Sequence, residues 1–209
     1  MKIFDKAASN WDKNTERMRL QTVLAQAIKN NVPLSKCMRA LDFGCGTGIM
    51  SFMLAESVGS IDAVDVSAGM IDELDLKLKQ PGAPENITGH RLVLTRDTLG
   101  KEQFELLFTV LTMHHVKDTP ALIETFAHKV KTGGYVALID LDEEDGSFHY
   151  DKTEVHHFGF RREYIRALLE ANGFEDFKDY DAASRKREQP DGSFRSYPLF
   201  LITARKSSQ

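Results

Sequence analysis

The chain of 209 residues has 42% apolar and 28% charged side chains, and its formal net charge is −4. A length of roughly 100–200 residues per domain fits one domain, and this composition excludes a collagen, a coiled-coil rod and a disordered tail. A slightly acidic chain lacks the basic surface that nucleic-acid binders usually carry, so we expect no nucleic-acid partner.

The longest uncharged apolar stretch covers residues 43–55, which is 13 residues. A membrane span needs about 20, so we expect none. The N-terminus lacks the apolar core of a signal peptide, and the two cysteines, Cys37 and Cys45, are too few for a disulfide framework. These features predict a cytoplasmic protein.

Apolar spacing predicts helices and strands that alternate along the chain. The predicted elements are a helix over 15–31, a strand over 38–43, a helix over 49–58, a strand over 61–66, a helix capped by Ser67, strands over 91–95 and 104–111, a helix from 119 to the glycine pair 133–134, a strand over 135–141, a helix over 161–172, and a strand pair over 174–180 and 197–204. This order predicts an α/β fold with a mostly parallel sheet, helices on both faces and an antiparallel C-terminal pair. Ligands of such sheets bind at the carboxyl ends of the strands.

A glycine-rich loop follows the first predicted strand. Gly44, Gly46 and Gly48 permit a sharp turn and let the backbone approach a ligand closely. Asp65 ends the next strand, where a carboxylate can accept both hydroxyls of a ribose. The sequence therefore predicts a site for a nucleoside-containing ligand.

The spacing of the glycines distinguishes between two kinds of ligand. Dinucleotide sites use G-x-G-x-x-G, whereas this loop is G-x-G-x-G with Asp42 two residues before it. A carboxylate so close to the loop would repel a pyrophosphate and suits a ligand with an ammonium group and a positive sulfur. The alternative is a tight strand-to-helix turn in which Asp42 is a local cap.

These motifs resemble those of the seven-stranded, S-adenosylmethionine-dependent methyltransferases. Segment 41–48 is similar to their first motif, 65–70 to their second-strand signature, 104–116 to their fourth-strand motif, and 130–135 to the turn before strand five. The resemblance is to the small-molecule branch, of menaquinone/ubiquinone type and methyltransferase type 11/12-like. It implies a Rossmann-like, doubly wound, seven-stranded sheet and methyl transfer to a small-molecule acceptor, and it leaves a homodimer open.

The resemblance also implies roles for single residues at the methionine and ribose end of the cofactor. Gly44, Gly46 and Gly48 line this part, Asp42 reaches the amino group, and Asp65 holds the ribose hydroxyls.

The adenine end is assigned in the same way. Val66 and Met70 sandwich the ring, although a methionine there can instead fill a gap in the core. Asp97 and Thr98 lie where an acidic side chain accepts from the adenine amino group, and Asp97 capping a short helix is the alternative. Thr109, near the end of the fourth strand, is also expected at the cofactor.

Residues 4–12 resemble the N-terminal lid of menaquinone- and ubiquinone-type methyltransferases. Trp11 would then cover the cofactor and exclude water, or it packs at the edge of the core. We divide the single methyltransferase domain, 1–209, into an N-terminal lid and helical segment (1–33), a cofactor-binding core (34–145) and an acceptor-pocket segment with the C-terminal strands (146–209).

Histidines mark the expected acceptor side. We predict that His114, after the fourth strand, and at least one of His156 and His157 face the transfer site. An imidazole there can take a proton from an acceptor hydroxyl. The alternative is that His115 or His114 bonds a backbone carbonyl in a buried turn.

We expect no metal site. The acidic run 140–145 is typical of a solvated loop, and residues 112–114 are Thr-Met-His where metal-dependent catechol-type methyltransferases carry an aspartate. Two other functions stay open: a non-catalytic S-adenosylmethionine-binding protein and a nicotinamide-dependent oxidoreductase, against which the glycine spacing argues.

Overall fold

A seven-stranded sheet lies between two layers of helices in the computed structural model, which describes residues 2–100 and 103–208. The strands are β1 (Arg39–Phe43), β2 (Ser60–Asp65), β3 (Ile87–Arg91), β4 (Phe104–Val110), β5 (Val130–Leu141), β6 (Phe174–Glu188) and β7 (Phe194–Lys206). The helices are α1 (Lys2–Trp11), α2 (Thr15–Asn31), α3 (Ile49–Leu54), α4 (Ala68–Leu78), α5 (Thr119–Lys129) and α6 (Arg162–Ala171). Within these described ranges, no helix has both the length and the apolar character of a membrane crossing.

The strand order is β3-β2-β1-β4-β5-β7-β6. Strands β1 to β5 run parallel, and β7 lies between β5 and β6, antiparallel to both. The order reverses between β1 and β4, so their carboxyl ends form the switch point where ligands bind in such sheets. The predicted mostly parallel sheet with an antiparallel C-terminal pair is confirmed.

Both faces of the sheet are buried, as the nearly continuous apolar run of β4 predicts. On one face Phe108 joins Leu24 and other residues of α2, α3 and α4. On the other face Leu107 joins Phe126 of α5 and Ile165 of α6. The helices therefore fix the positions of the strand ends from both sides.

The third strand lies earlier than predicted. Residues 91–95 are apolar enough to suggest a strand, but the pairing of β3 with β2 ends at Arg91, opposite Asp65. Because β3 is an edge strand with one neighbour, its pairing does not require a continuous apolar run. The apolar residues that follow it line a cavity instead.

Four other elements also differ in their bounds. The final strands are longer than predicted, 15 residues in β6 and 13 in β7. The last four residues of β6, 185–188, are all charged, so this end of the strand gives little apolar signal. Helix α3 ends at Leu54, and β5 begins at Val130, before the glycine pair that was expected to end α5.

Gly48 lets α3 pack against α4. It is the N-cap of α3 with φ of 79°, and a Cβ there would lie 2.5 Å from Cδ1 of Leu74. We expect Gly48→Ala to lower the free energy of unfolding by about 1–3 kcal/mol, because it adds this clash to the strain of a left-handed backbone. Urea unfolding would measure it against Gly82→Ala, since Gly82 has φ of 80° with nothing within 4 Å of its Cβ position. Equal losses in the two variants would contradict the packing role.

Candidate active site

A cavity of about 670 Å³ opens at the carboxyl ends of β1, β2 and β4. Its volume is within the range of roughly 300–1,000 Å³ that is usual for small-molecule sites. Its walls are the loops that follow four parallel strands, together with parts of α1, α2, β6 and the segment 148–155.

Two of the three glycines expected at the cofactor line this cavity. Gly44 and Gly46 have φ of 69° and 54°. A Cβ on Gly46 would have a single neighbour within 4 Å, Sδ of Met70 at 3.8 Å, so the space beside this backbone is open. Gly48 does not line the cavity, because its Cβ position is directed at Leu74 of α4.

Asp65 holds the glycine loop and also lines the cavity. Its two carboxylate oxygens accept the backbone N–H groups of Gly46 and Ser67, each at 2.8 Å. Burial raises the pKa of this carboxyl above its ordinary value. Each oxygen keeps lone-pair capacity for a further donor, so two hydroxyls of a ligand can be held here.

Asp42 is buried at the end of β1 and is a second carboxylate of the cavity wall. It accepts a hydrogen bond from the hydroxyl of Ser51 at 2.6 Å. Burial raises its pKa to about 7. A cationic group of a ligand would favour its ionised form.

An apolar wall lies beside Asp65. Val66 and Met70 contribute to it, and so do Leu92, Val93 and Leu94, the apolar residues that follow β3. These last three were expected to be a strand, and sequence reasoning did not place them at the site.

Three other residues expected at the cofactor lie elsewhere. Asp97 and Thr98 are outside the cavity, in a turn where the Thr98 hydroxyl accepts from the Thr95 N–H at 2.8 Å. Thr109 is also outside it, fully buried within the sheet. The early end of β3 explains the first difference, because the residues that line the cavity after this strand are 92–94 and not 97 and 98.

Helix α1 covers one side of the cavity with Phe4 and Trp11. It is fixed by Asp12, which accepts the hydroxyl of Thr47 and pairs with Lys77, both at 2.6 Å. The helix is thus attached to the glycine loop and to α4, in the position that a lid requires.

The turn after β4 carries a buried histidine–carboxylate pair. Nδ1 of His114 lies 2.6 Å from Oδ1 of Asp140, and the His114 backbone N–H donates to Oδ2 at 3.2 Å. Both side chains are nearly inaccessible, at 2% and 0% exposure. Because the carboxylate is the acceptor, the imidazole proton lies on Nδ1. Nε2 of His114 has no hydrogen-bond partner among the described residues, and His114 lines the cavity.

Two further imidazoles stand beside His114. The ring centroids of His115 and His149 are 4.1 and 5.0 Å from that of His114. Burial lowers the pKa of both to about 3, so both are neutral at physiological pH. His115 is held by the carbonyl of Glu154 at 2.6 Å, and both residues line the cavity.

His156 and His157, which were expected at the transfer site, do not line the cavity. Their backbone N–H groups donate to the His114 carbonyl at 3.0 and 3.1 Å, which fixes this segment beside the turn. The His156 side chain is exposed. Nε2 of His157 lies 3.1 Å from the Thr119 hydroxyl and 3.0 Å from the Val116 carbonyl. These contacts are structural.

The acidic run after β5 is engaged with other side chains. Asp140 holds His114, and Asp142 makes two hydrogen bonds with Arg162, at 2.7 and 2.6 Å. Across residues 2–100 and 103–208, no group of three or more histidine, cysteine or acidic side chains is placed to hold a metal ion.

Sequence reasoning missed the cationic part of the cavity wall. Arg17 and Gln21 of α2 line it, one helical turn apart, and so do Arg185 and Arg187 of β6. The spacing of two residues between the arginines of β6 could have indicated a shared face, but this stretch was expected to lie beyond the strand.

Comparison with known proteins identifies relatives. A family model described as a methyltransferase domain matches residues 15–178. An uncharacterised methyltransferase of Schizosaccharomyces pombe is 30% identical over 155 residues, which is 67% of this chain and 54% of that protein. A ubiquinone biosynthesis O-methyltransferase of Xylella fastidiosa is 30% identical over 163 residues, 77% of this chain and 61% of that protein. The chain thus spans about three fifths or less of these two curated relatives.

The fold is also that of a solved protein. The crystal structure of a SAM-dependent methyltransferase from Aquifex aeolicus superimposes with a TM-score of 0.70 at 20% identity, covering 96% of this chain and 97% of that one.

Proposed function

Because this chain belongs to the methyltransferase domain family, we propose that its cavity binds S-adenosylmethionine and that the protein transfers the methyl group to a small-molecule acceptor. When bound, this cofactor supplies a methyl group already activated by a positive sulfur. The residues of the cavity fit it. The open space beside Gly46 admits a ligand against the backbone, and buried carboxylates suit a ligand with hydroxyls and an ammonium group.

Each part of the wall then has a role. Asp65 accepts the ribose hydroxyls and Asp42 attracts the amino group. Val66 and Met70 pack against the adenine ring, together with the apolar residues 92–94 that replace Asp97 and Thr98 in this role. A thioether against a flat ring is a favourable contact.

The proposal that His114 acts on the acceptor rests on one observation, the unpartnered Nε2 of its imidazole. With Asp140 accepting from Nδ1, the buried and unpartnered Nε2 is the nitrogen that would accept from a hydroxyl placed beside it in the cavity. His114 takes the proton as the oxygen attacks, and Asp140 stabilises the imidazolium that forms. The α1 side chains Phe4 and Trp11 exclude water from the cavity.

We expect Asp65→Asn to weaken S-adenosylhomocysteine binding by at least about tenfold, because hydrogen bonds to a charged acceptor are worth roughly 1.5–3 kcal/mol. The asparagine amide oxygen can still accept one of the two loop N–H groups, so this variant disturbs the glycine loop less than Asp65→Ala would. Calorimetry would measure this against Asp72→Asn, which removes the same charge from the exposed side of α4. Equal affinities of both variants and the wild type would contradict the ribose role.

The activity itself is tested by incubating the protein with labelled S-adenosylmethionine and a panel of phenols, hydroxybenzoates and amines. The proposal predicts a methylated product that depends on His114. Cofactor binding without any product would favour a non-catalytic binding protein.

A further inference from the structure

Three arginines line one side of the cavity. Arg17 comes from α2, and Arg185 and Arg187 lie two residues apart on the inner face of β6. All three are partly buried. In the part of the chain that the structure describes, none of the three forms an ion pair.

Their present contacts hold the guanidinium groups without neutralising them. Arg17 donates to the Trp11 carbonyl at 2.6 Å and stacks 3.7 Å from the Trp11 ring centroid. Arg187 donates to the Phe148 carbonyl at 2.9 Å and lies 4.9 Å from the Phe148 ring centroid. The Arg185 guanidinium lies 5.5 Å from the Phe148 ring centroid.

Such an arrangement is costly without a ligand. Desolvation, followed by the charges of Arg187 and Arg17, lowers the pKa of Arg185 to about 10 despite the opposing charge of Glu16. Desolvation also lowers the pKa of Arg17, against the opposing charge of Asp12. Like charges that are partly removed from water and kept together favour an anion that would neutralise them.

Two buried polar atoms without a hydrogen-bond partner among the described residues complete this side. One is Oε1 of Gln21, one turn beyond Arg17. The other is Nε2 of His149, whose ring centroid lies 4.7 Å from that of Phe148 and 5.0 Å from that of His114. Phe148 and Trp11 supply aromatic surfaces beside the charges.

We propose that Arg17, Arg185 and Arg187 form an acceptor subsite for an anionic group, so that the substrate is a small aromatic acid carrying a carboxylate or a phosphate. This rests on the proposed methyltransferase function, and it narrows the acceptor of the same site. Guanidinium groups suit both anions because their planar donors match paired oxygens. The acidic group is held at the arginines while the reacting hydroxyl extends toward His114.

Binding of matched ligands tests this subsite. The protein has a single tryptophan, Trp11, in contact with Arg17, so its fluorescence reports ligands at this wall. The ligands are 3,4-dihydroxybenzoate, phenyl phosphate and the uncharged 3,4-dihydroxybenzamide, each titrated with and without saturating S-adenosylhomocysteine. We expect at least one anion to bind at least tenfold more tightly than the amide. The anion that binds more tightly identifies the preferred acidic group as a carboxylate or a phosphate.

Variants locate the effect. Arg185→Gln should reduce anion affinity about tenfold or more and leave the affinities for the amide and for S-adenosylhomocysteine unchanged. Arg195→Gln is the matched control, since Arg195 pairs in register with Arg187 but binds Asp145 outside the cavity. If Arg185→Gln unfolds, Arg187→Gln carries the same expectation.

The subsite proposal is overturned if the amide binds as tightly as both anions, if both arginine variants bind them like the wild type, or if no anion binds in the millimolar range. Loss of S-adenosylhomocysteine binding alone, with the anion preference retained, would refute the cofactor proposal and leave the anion subsite standing.

Discussion

The His114→Asn variant is expected to bind S-adenosylmethionine like the wild type and to turn over about 10²–10⁴-fold more slowly with a hydroxyl acceptor, which is the usual contribution of general base catalysis. Asparagine can still donate to Asp140, so the turn after β4 keeps its buried hydrogen bond. Calorimetry with the cofactor and steady-state kinetics with the acceptor would measure the two effects.

A second histidine provides the control for this result. His157→Asn removes an imidazole outside the cavity that contacts Thr119 and Val116. It should lower the midpoint of thermal unfolding and leave the rate at saturating acceptor unchanged. A His114→Asn variant that loses stability but keeps its rate would show that the His114–Asp140 pair is structural.

Replacing Gly46 by valine should abolish cofactor binding. The φ of 54° is strained for a β-branched residue, at about 1–2 kcal/mol, and the added methyl groups would occupy the space beside the loop. Because Met70 Sδ lies 3.8 Å from the Cβ position, the surrounding structure has room for Cβ itself, so the fold should persist. Circular dichroism and calorimetry with S-adenosylhomocysteine would measure the two expectations.

The control is Gly82→Val, with a similar left-handed backbone at φ of 80° and open space around it. It should share the strain of Gly46→Val and bind the cofactor normally. If Gly46→Val unfolds while Gly82→Val folds, the glycine loop is primarily a structural turn.

The predictable parts of the site are residues whose local sequence pattern already fixes their position at the cavity. Gly44 and Gly46 must adopt positive φ to make the turn after β1, and the same residues line the cavity. Asp65 ends a strand whose apolar pattern is clear, so its position at the sheet edge follows from the strand. His114 follows β4, the most apolar strand, for the same reason.

The parts that were missed depend on contacts between distant segments. Arg185 and Arg187 reach the cavity because β6 continues well past the core, and charged side chains on an edge strand give no apolar signal there. His157 was placed at the site from its position in the chain, but the backbone hydrogen bonds to the His114 carbonyl direct its side chain to Val116 instead. Asp97 and Thr98 were misplaced because β3 ends at Arg91.

Calorimetric titration of the wild-type protein with S-adenosylhomocysteine and, separately, with NAD tests the central claim most directly. The account predicts saturable binding of S-adenosylhomocysteine that weakens about tenfold or more in Asp65→Asn, and no binding of NAD, whose pyrophosphate would meet the buried carboxyl of Asp42. Binding of NAD in preference to S-adenosylhomocysteine, or binding of neither, would contradict it.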